Sequence, residues 1–148
     1  MQDGAMTFDR ETSAGYLANH MARLFAQGLR RRIAPLGLEP AQFMVLLVLW
    51  REDGLTQKEL VERLDVEQAT MANTLSRMAR AGLIERHPHP TDARAKLVSA
   101  TAKARALEKP ATAAASAQIE DALTDLSPDE RRTLLDLMRR VIARMREV

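Results

Sequence analysis

The chain has 148 residues, no cysteine and a formal net charge of +2. Its length suits one domain with its own core, and its few aromatic residues require that core to be aliphatic. The lack of cysteine excludes disulfides, thiolate metal sites and cysteine redox switches. No apolar run reaches the roughly 18 residues of a membrane span, and the N-terminus lacks a secretory pattern. We therefore expect a cytoplasmic protein without a membrane partner.

The first part of the chain is predicted to form a tail and two helices. Residues 1–13 are small and polar, which is typical of a flexible tail. A helix with one apolar side is expected over residues 16–34, and residues 35–37 end it. Pro40 then starts a second helix, where its missing N–H costs nothing. Residues 43–50 are apolar throughout, so this helix is expected at the centre of the core.

Residues 55–99 contain the start and stop signals of a helix-turn-helix followed by a hairpin. Thr56 and Glu59 can form a capping box that starts a short helix. Asp65 ends that helix, since Asp tolerates a left-handed turn. A second helix is predicted over residues 67–81, and Gly82 follows as its left-handed C-cap.

The second helix of this pair has two different faces. One face is predicted to be buried and consists of Met71, Ala72, Leu75, Met78 and Ala79. The opposite face carries Thr70, Asn73, Arg77 and Arg80, with Thr74 on its flank. It has hydroxyl, amide and guanidinium groups and no carboxylate, which are the groups that pair with DNA bases and phosphates. An ordinary solvated polar face is the alternative interpretation.

The segment after this helix is predicted to be a two-stranded hairpin with a long tip. Two short alternating runs flank a connection rich in proline. Arg94 near the tip could enter a narrow minor groove, and Asp92 could orient its guanidinium; an ordinary surface ion pair is the alternative. His87 and His89 alternate with prolines, so a solvated turn is favoured over a metal site.

Two further helices complete the chain. Thr101 is expected to cap a long helix that reaches residue 123 and is kinked at Pro110. Ser127, Pro128 and Glu130 mark the start of the last helix. An apolar seam along it, with Leu17 of the first helix, is predicted to form a dimer layer, although packing within one subunit is the alternative. The residues of the seam are Leu134, Met138, Val141 and Met145.

In this order and spacing, several segments resemble the MarR (multiple antibiotic resistance regulator) family of bacterial regulators. These segments are residues 36–43, 55–60 and 81–86 and the motif Asp92-Ala93-Arg94, and the resemblance extends over about residues 16–145. The chain departs from the family at Asp65 and Ala104, where glycine is common. The resemblance implies a homodimer on a pseudo-palindromic operator in double-stranded DNA. It also implies major-groove contacts by Thr70, Asn73, Thr74 and Arg77 and a minor-groove contact by Arg94.

The expected fold is mainly α with a small β-hairpin wing, with about six helices in a winged helix-turn-helix module and a helical dimerisation layer. We expect a single domain over residues 1–148, with the module at 39–100 and the dimerisation region at 14–38 and 101–148. The predicted DNA-contacting residues are Thr56, Gln57, Thr70, Asn73, Thr74, Arg77, Arg86, Asp92, Arg94 and Lys96.

The resemblance further implies a small aromatic or anionic effector, and we expect repression, with activation as the alternative. The residues that could line an effector pocket are His20, Met21, Leu24, Phe43, Met44 and Leu47. The sequence has no glycine-rich phosphate loop, nucleophile elbow or Ser/His/Asp order, so we predict no enzyme, no catalytic residue, no metal and no cofactor. The competing hypothesis is a winged-helix module that binds another protein and has no operator of its own.

Overall fold

A computed structural model of the chain describes residues 7–147, within which seven α-helices and three short strands are found. They follow in the order α1 (Ala14–Ile33), α2 (Pro40–Arg51), β1 (Leu55–Thr56), α3 (Gln57–Leu64), α4 (Gln68–Arg80), β2 (Ile84–Pro88), β3 (Lys96–Ala100), α5 (Ala102–Ala106), α6 (Glu108–Ala122) and α7 (Pro128–Arg146). Short 3-10 turns occur at Arg10–Thr12 and Ala34–Leu36. The predicted fold class, mainly α with a β-hairpin wing, is confirmed.

The predicted tail lies only partly within the described residues. Residues 1–6 are outside them, and residues 7–13 contain the turn at Arg10–Thr12. The Asp9 carboxylate accepts the N–H of Glu11 at 3.0 Å and caps this turn. The flexibility of the whole segment stays a prediction.

Local capping groups set the helix ends, as the sequence indicates. The Thr56 hydroxyl accepts the Glu59 N–H, and the Glu59 carboxylate accepts the Thr56 N–H, each at 3.1 Å. Ser127 and Glu130 form the same box at the start of α7. Such boxes satisfy donors that have no partner inside the helix, so three or four residues suffice to fix where it begins.

The core is centred on α2, which packs against α3, α4 and the sheet. Leu46 and Leu49 are completely buried, together with Leu60 of α3 and Leu75 of α4. α2 lies at the centre of the core, as expected, but not every apolar residue over 43–50 is buried. Met44 and Leu47 are 48% and 37% exposed, because one side of α2 borders a cavity.

The sheet contains one strand more than the predicted hairpin. The hairpin pairs β2 with β3 in antiparallel register, from Ile84 opposite Ala100 to Pro88 opposite Lys96. β1 adds to the other side of β3, with Leu55 opposite Val98. A strand of two residues is too short to produce a period-two pattern, so it cannot be predicted from the sequence.

The helix predicted over residues 101–123 is two helices rather than one kinked helix. The break is at Leu107, three residues before Pro110. Proline has no N–H to donate to the carbonyl four residues earlier, and its ring clashes with that carbonyl. Pro110 therefore fits in the first turn of a new helix, where no N–H is required.

α1 and α6 cross closely at Gly28, which is buried. A Cβ placed on Gly28 would lie 2.1 Å from Nε2 of Gln118. The Arg32 side chain donates from Nε to Gln118 Oε1 at 3.1 Å and forms an ion pair with Asp121, which joins the two helices next to the crossing.

No single helix within residues 7–147 has the length and apolar character needed to cross a membrane. Ala14–Leu36 and Pro40–Arg51 meet that requirement only as a pair, and they are bent by 75° relative to each other.

Candidate nucleic-acid interface

The outer face of α4 is polar and open to solvent. Thr70, Asn73 and Arg77 are exposed, whereas Met71 and Leu75 are buried beneath them. Arg80 is also exposed and Thr74 is half-buried. The side chains available on this face are therefore the hydroxyl, amide and guanidinium groups that can form hydrogen bonds with base edges and phosphates.

The buried side of α4 is narrower than the sequence predicts. Met71, Leu75 and Met78 reach the core, but Ala72 is exposed, which corrects the predicted buried face. Ala72 follows Met71 by about 100° around the helix, and only one row of residues spaced by three and four points inward. Because the buried row of α4 is narrow, more of the surface of this helix is accessible to a partner.

The C-terminal end of α4 is held by its own backbone and by α5. Gly82 has φ = 72°, and its N–H and that of Leu83 donate to the carbonyls of Ala79 and Met78, which is a Schellman motif. The Lys103 ammonium of α5 donates to the Ala81 carbonyl at 2.8 Å. Thr101, which caps α5, donates from its hydroxyl to the Gly82 carbonyl at 2.6 Å.

The start of α3 is tied to the start of α4. Gln57 Nε2 donates to Gln68 Oε1 at 3.2 Å, so the two helices of the helix-turn-helix are joined where both begin. Between them, Asp65 adopts φ = 51° in the left-handed region, as predicted for the turn. Arg146 at the end of α7 contacts this turn, with Nε 3.1 Å from an Asp65 carboxylate oxygen.

The wing tip differs from the prediction in the role of Asp92. Its carboxylate accepts the backbone N–H of Arg94 at 2.9 Å, and no ion pair between the two side chains is found among the described residues. Asp92 thus shapes the turn in front of Arg94 rather than holding its guanidinium. The reason is distance along the chain, since an Asp side chain reaches an N–H two residues later more easily than the end of a long side chain.

A basic concavity of about 430 Å³ lies between α3 and the wing. Its cationic side chains are Lys58, Arg86, Arg94 and Lys96, and it contains no carboxylate. Thr56 and Gln57 line it as well, so five of the ten predicted DNA-contacting residues converge at this one place. Their individual roles stay predictions.

Lys58 is the basic residue of this concavity that the sequence analysis missed. It is the second residue of α3 after the Thr56 cap, and it is exposed. Its position next to the cap was a usable signal, because a side chain in the first turn of a helix lies close to a phosphate bound at that end.

The cations of this surface are not neutralised within the part of the chain that the structure describes. Arg77, Arg86 and Arg94 form no ion pair there, and neither do Lys58, Arg80 and Lys96. Several arginines elsewhere do form ion pairs. Arg131, for example, pairs with Glu120 at 2.8 Å, and Arg63 pairs with Glu52, which holds the pKa of that carboxyl below its ordinary value.

A second concavity, apolar and about 610 Å³ in volume, lies between α1, α2 and α6. Phe43, Met44 and Leu47 line it, as expected for the predicted effector pocket. His20, Met21 and Leu24 are exposed on a different side of α1, and the residues of that helix that line the cavity are Ala22, Phe25, Ala26 and Leu29. Periodicity alone could not choose between these two faces, because both are largely apolar.

Most apolar side chains of α7 are not covered by the described part of the chain. α7 has no buried residue; Met138 and Val141 are exposed, and Met145 is 66% exposed. Leu134 is half-buried, and Leu17 of α1 is 49% exposed. These are the residues predicted for dimerisation, and that role stays a prediction.

Comparison with known proteins agrees with this geometry. A family model described as the MarR family matches residues 36–95. The chain is 33% identical over 115 residues to the HTH-type transcriptional regulator TtmR of Methylorubrum extorquens, covering 78% of this chain and 58% of TtmR. It is also 33% identical to the HTH-type transcriptional regulator MgrA of Staphylococcus aureus, covering 68% of this chain and 67% of MgrA.

Solved structures agree as well. The PcaV transcriptional regulator from Streptomyces coelicolor, crystallised in complex with its natural ligand, superimposes with a TM-score of 0.82 at 27% identity. The match covers 93% of this chain and 97% of PcaV. Among the curated relatives, the chain spans only 58 to 65% of the length of TtmR and of two Bacillus subtilis regulators.

Proposed function

The chain belongs to the MarR family of transcriptional regulators, and from this premise we propose that it binds a pseudo-palindromic DNA operator as a homodimer. We further propose that it represses transcription there and is released by a small effector. In this proposal α4 of each subunit occupies a major groove, and the two half-sites lie about 10 base pairs apart.

The observation that carries the proposal is the set of cations without ion pairs on α4, α3 and the wing. A protein surface of this kind loses little when it approaches phosphates, because no internal ion pair has to be broken first. Arg77 lies on the helix that would enter the major groove, whereas Lys58, Arg86 and Arg94 surround the concavity beside it. A phosphate of the DNA backbone fits that concavity by charge, and base edges fit Thr70 and Asn73 by hydrogen-bonding type.

The proposed dimer is supported by the uncovered apolar residues of α1 and α7. Burying such side chains gains about 25 cal/mol per Å² of apolar surface, so a second copy that covers them would bind favourably. Residues from the two ends of the chain would form one layer, which fixes the distance between the two α4 helices. Molar mass measured by light scattering distinguishes the dimer from a monomer, and Val141→Glu in the exposed seam should yield the monomer.

The proposed effector site is the apolar cavity. None of its lining side chains is charged, and its polar groups belong to Thr112, Ser116 and Gln118. The Thr112 hydroxyl already donates to the Glu108 carbonyl at 2.7 Å. Of the aromatic and anionic effectors predicted from the sequence, an uncharged aromatic compound therefore fits this lining better, since a buried anion without a partner is strongly unfavourable.

The effector would act through α6 and α5. α6 forms one wall of the cavity, and α5, which follows β3, holds the end of α4 through Thr101 and Lys103. A ligand can shift the balance between two arrangements only by its difference in affinity for them. We therefore propose that the occupied cavity favours an arrangement in which the α4 helices no longer match the half-site spacing.

Two aromatic probes of the same skeleton test the effector site. Trp50 is the only tryptophan, and its ring lies edge-on to Phe43 of the cavity wall, with centroids 6.1 Å apart. Its fluorescence should respond to neutral 1-naphthol and much less to anionic 1-naphthoate at pH 7.4. Ala115→Phe, which fills the cavity, should abolish the response, whereas Ala113→Phe, at an exposed position of the same helix, should leave it. An equal response to both compounds would contradict the proposed lining.

Gel-shift and footprinting measurements on the DNA upstream of the gene test the main proposal. A protected pseudo-palindrome is expected. Arg94→Ala should weaken binding and lower the slope of log affinity against log salt concentration by about one, while Arg31→Ala, an exposed arginine of α1, should change neither. Asn73→Ala should change the preferred base at one position, worth about 1–3 kcal/mol. Absence of any duplex binding at low salt would favour the rival module that binds another protein.

A further inference from the structure

The wing tip contains a side chain that accepts several donors at once. Nδ1 of His89 lies 3.1 Å from the backbone N of Thr91 and 3.0 Å from the backbone N of Asp92. The Thr91 hydroxyl is 3.4 Å from the same nitrogen. His89 is half-buried and immediately follows β2, so this single atom closes the turn that begins the connection between the two strands.

The hydrogen bonds continue toward Arg94. Asp92, whose N–H His89 accepts, itself accepts the Arg94 N–H through its carboxylate at 2.9 Å, and its carbonyl accepts the Ala95 N–H at 3.2 Å. β3 begins one residue later, at Lys96. His89 and Asp92 therefore form two consecutive side-chain caps that bridge the whole tip between the strands.

We propose that His89 is a positioning residue for DNA binding, whose imidazole presents Arg94 to the duplex only while Nδ1 carries no proton. The inference rests on the proposed function, because it assumes that Arg94 contacts DNA. An imidazole nitrogen accepts hydrogen bonds only through its lone pair, so the ring must be neutral with its proton on Nε2. Protonation of Nδ1 removes both backbone hydrogen bonds. It also brings three N–H donors, those of Nδ1, Thr91 and Asp92, close together with no acceptor between them.

The hairpin carries several charged or titratable groups besides His89. They are Glu85, Arg86 and His87 on β2, Asp92 and Arg94 in the connection, and Lys96 on β3. His87 is a second imidazole of the wing, and its Nε2 lies 3.7 Å from a Glu85 carboxylate oxygen. The His87→Gln background removes that contribution.

The direction of the pH effect on DNA affinity distinguishes the proposed positioning role of His89 from a simple effect of added positive charge. An extra positive charge next to DNA tightens binding, because it adds attraction to the phosphates. The loss of the turn weakens binding, because Arg94 is no longer held in place. Between pH 7.5 and 5.5, where imidazoles commonly take up a proton, we expect the weakening to prevail.

The first measurement is made without DNA. The ¹⁵N spectrum of the intact protein should show the Nε2–H tautomer of His89 at pH 7.5. Hydrogen exchange at the Thr91 and Asp92 amides should be about five-fold faster in His89→Ala than in the wild type, the effect of losing one ordinary hydrogen bond. His89→Asn, whose side-chain oxygen can accept the same two N–H groups, should restore the slow exchange. An Nδ1–H tautomer, or equal exchange in all three proteins, would overturn the proposal.

The second measurement is operator affinity in the His87→Gln background. The parent here is the protein with His87→Gln alone. Relative to it, His89→Ala should bind about five-fold more weakly at pH 7.5, and His89→Asn should bind within about two-fold. Acidification to pH 5.5 should weaken the parent about five-fold relative to His89→Asn. Tighter binding on acidification, or the same pH profile for both proteins, refutes the positioning role. If no duplex is bound at all, the proposed function fails, and the amide and tautomer measurements still decide whether His89 holds the turn.

Discussion

Gly28 provides a thermodynamic test of the way in which α1 and α6 meet. In the interior of an open helix, replacing glycine by alanine stabilises by about 1 kcal/mol. At Gly28 the new Cβ would lie 2.1 Å from Nε2 and 2.4 Å from Cδ of Gln118, distances at which one side chain must move. Gly28→Ala therefore has to displace Gln118 before it can gain from helix propensity.

The size of the effect follows from what Gln118 gives up. The hydrogen bond from Arg32 Nε to Gln118 Oε1 would be lost, at about 0.5–1.5 kcal/mol, whereas moving the flexible end of the Gln118 side chain costs little more, because it borders an open concavity. This loss offsets the gain of about 1 kcal/mol, so Gly28→Ala should change the free energy of unfolding by no more than about 0.5 kcal/mol in either direction. In a Gln118→Ala background the obstacle is absent, so the same substitution should raise it by about 0.5–1 kcal/mol.

Urea unfolding of the four proteins, followed by circular dichroism at one protein concentration, measures this difference between the two backgrounds. The concentration is fixed because association of chains changes apparent stability. The slope of free energy against urea should be the same in all four, so the midpoints report stability directly. Gly28→Ala that stabilises equally in both backgrounds would refute the close crossing of α1 and α6.

Four other substitutions test the helix caps and the left-handed turn of the winged helix-turn-helix module and the last helix. Thr56→Ala should lower the free energy of unfolding by about 1 kcal/mol in urea, since the cap of α3 is lost, and Gly82→Ala by about 1–2 kcal/mol, since φ there is 72°. The backbone N–H and hydroxyl of Ser127 hold the pKa of Glu130 below its ordinary value of 4.5, so its stabilising contribution is complete at neutral pH and is lost as the pH falls below 4.5. Glu130→Gln should therefore show a smaller fall in urea midpoint between pH 6 and 3.5 than the wild type does. Lys103→Met should speed hydrogen exchange in the last turn of α4, and unchanged exchange would contradict its capping role.

In the wing, the sequence motif correctly brings Asp92 and Arg94 together, but it does not identify the atoms that form the hydrogen bond. The sequence placed Asp92 close to Arg94 and predicted a bond between their side chains. The structure has Asp92 bonded to the Arg94 backbone instead. Residue types at short spacing indicate that two groups interact, but the backbone conformation decides which atoms meet. The sequence predicts a solvated turn at His89 and misses its acceptor role for the same reason, because that role depends on where two N–H groups of the turn point.

Helix beginnings and ends could be predicted from the sequence because their causes are local. The Thr56–Glu59 and Ser127–Glu130 boxes and the left-handed turn at Gly82 each involve residues within five positions of one another. The carboxylate-free face of α4 is also a property of the sequence, since the narrow apolar row that turns inward leaves the polar residues outside.

Other features depend on residues far apart in the chain, and only the tertiary structure decided them. α1 offers two apolar faces, and its packing against α6 determines that Phe25, rather than Met21, lines the cavity. Lys58 joins Arg94 in one concavity because β1 pairs with β3 and brings the start of α3 beside the wing. Hydrogen bonds between residues close in the chain can be predicted from short sequence motifs. Contacts between distant segments depend on how the whole core packs, which no short motif encodes.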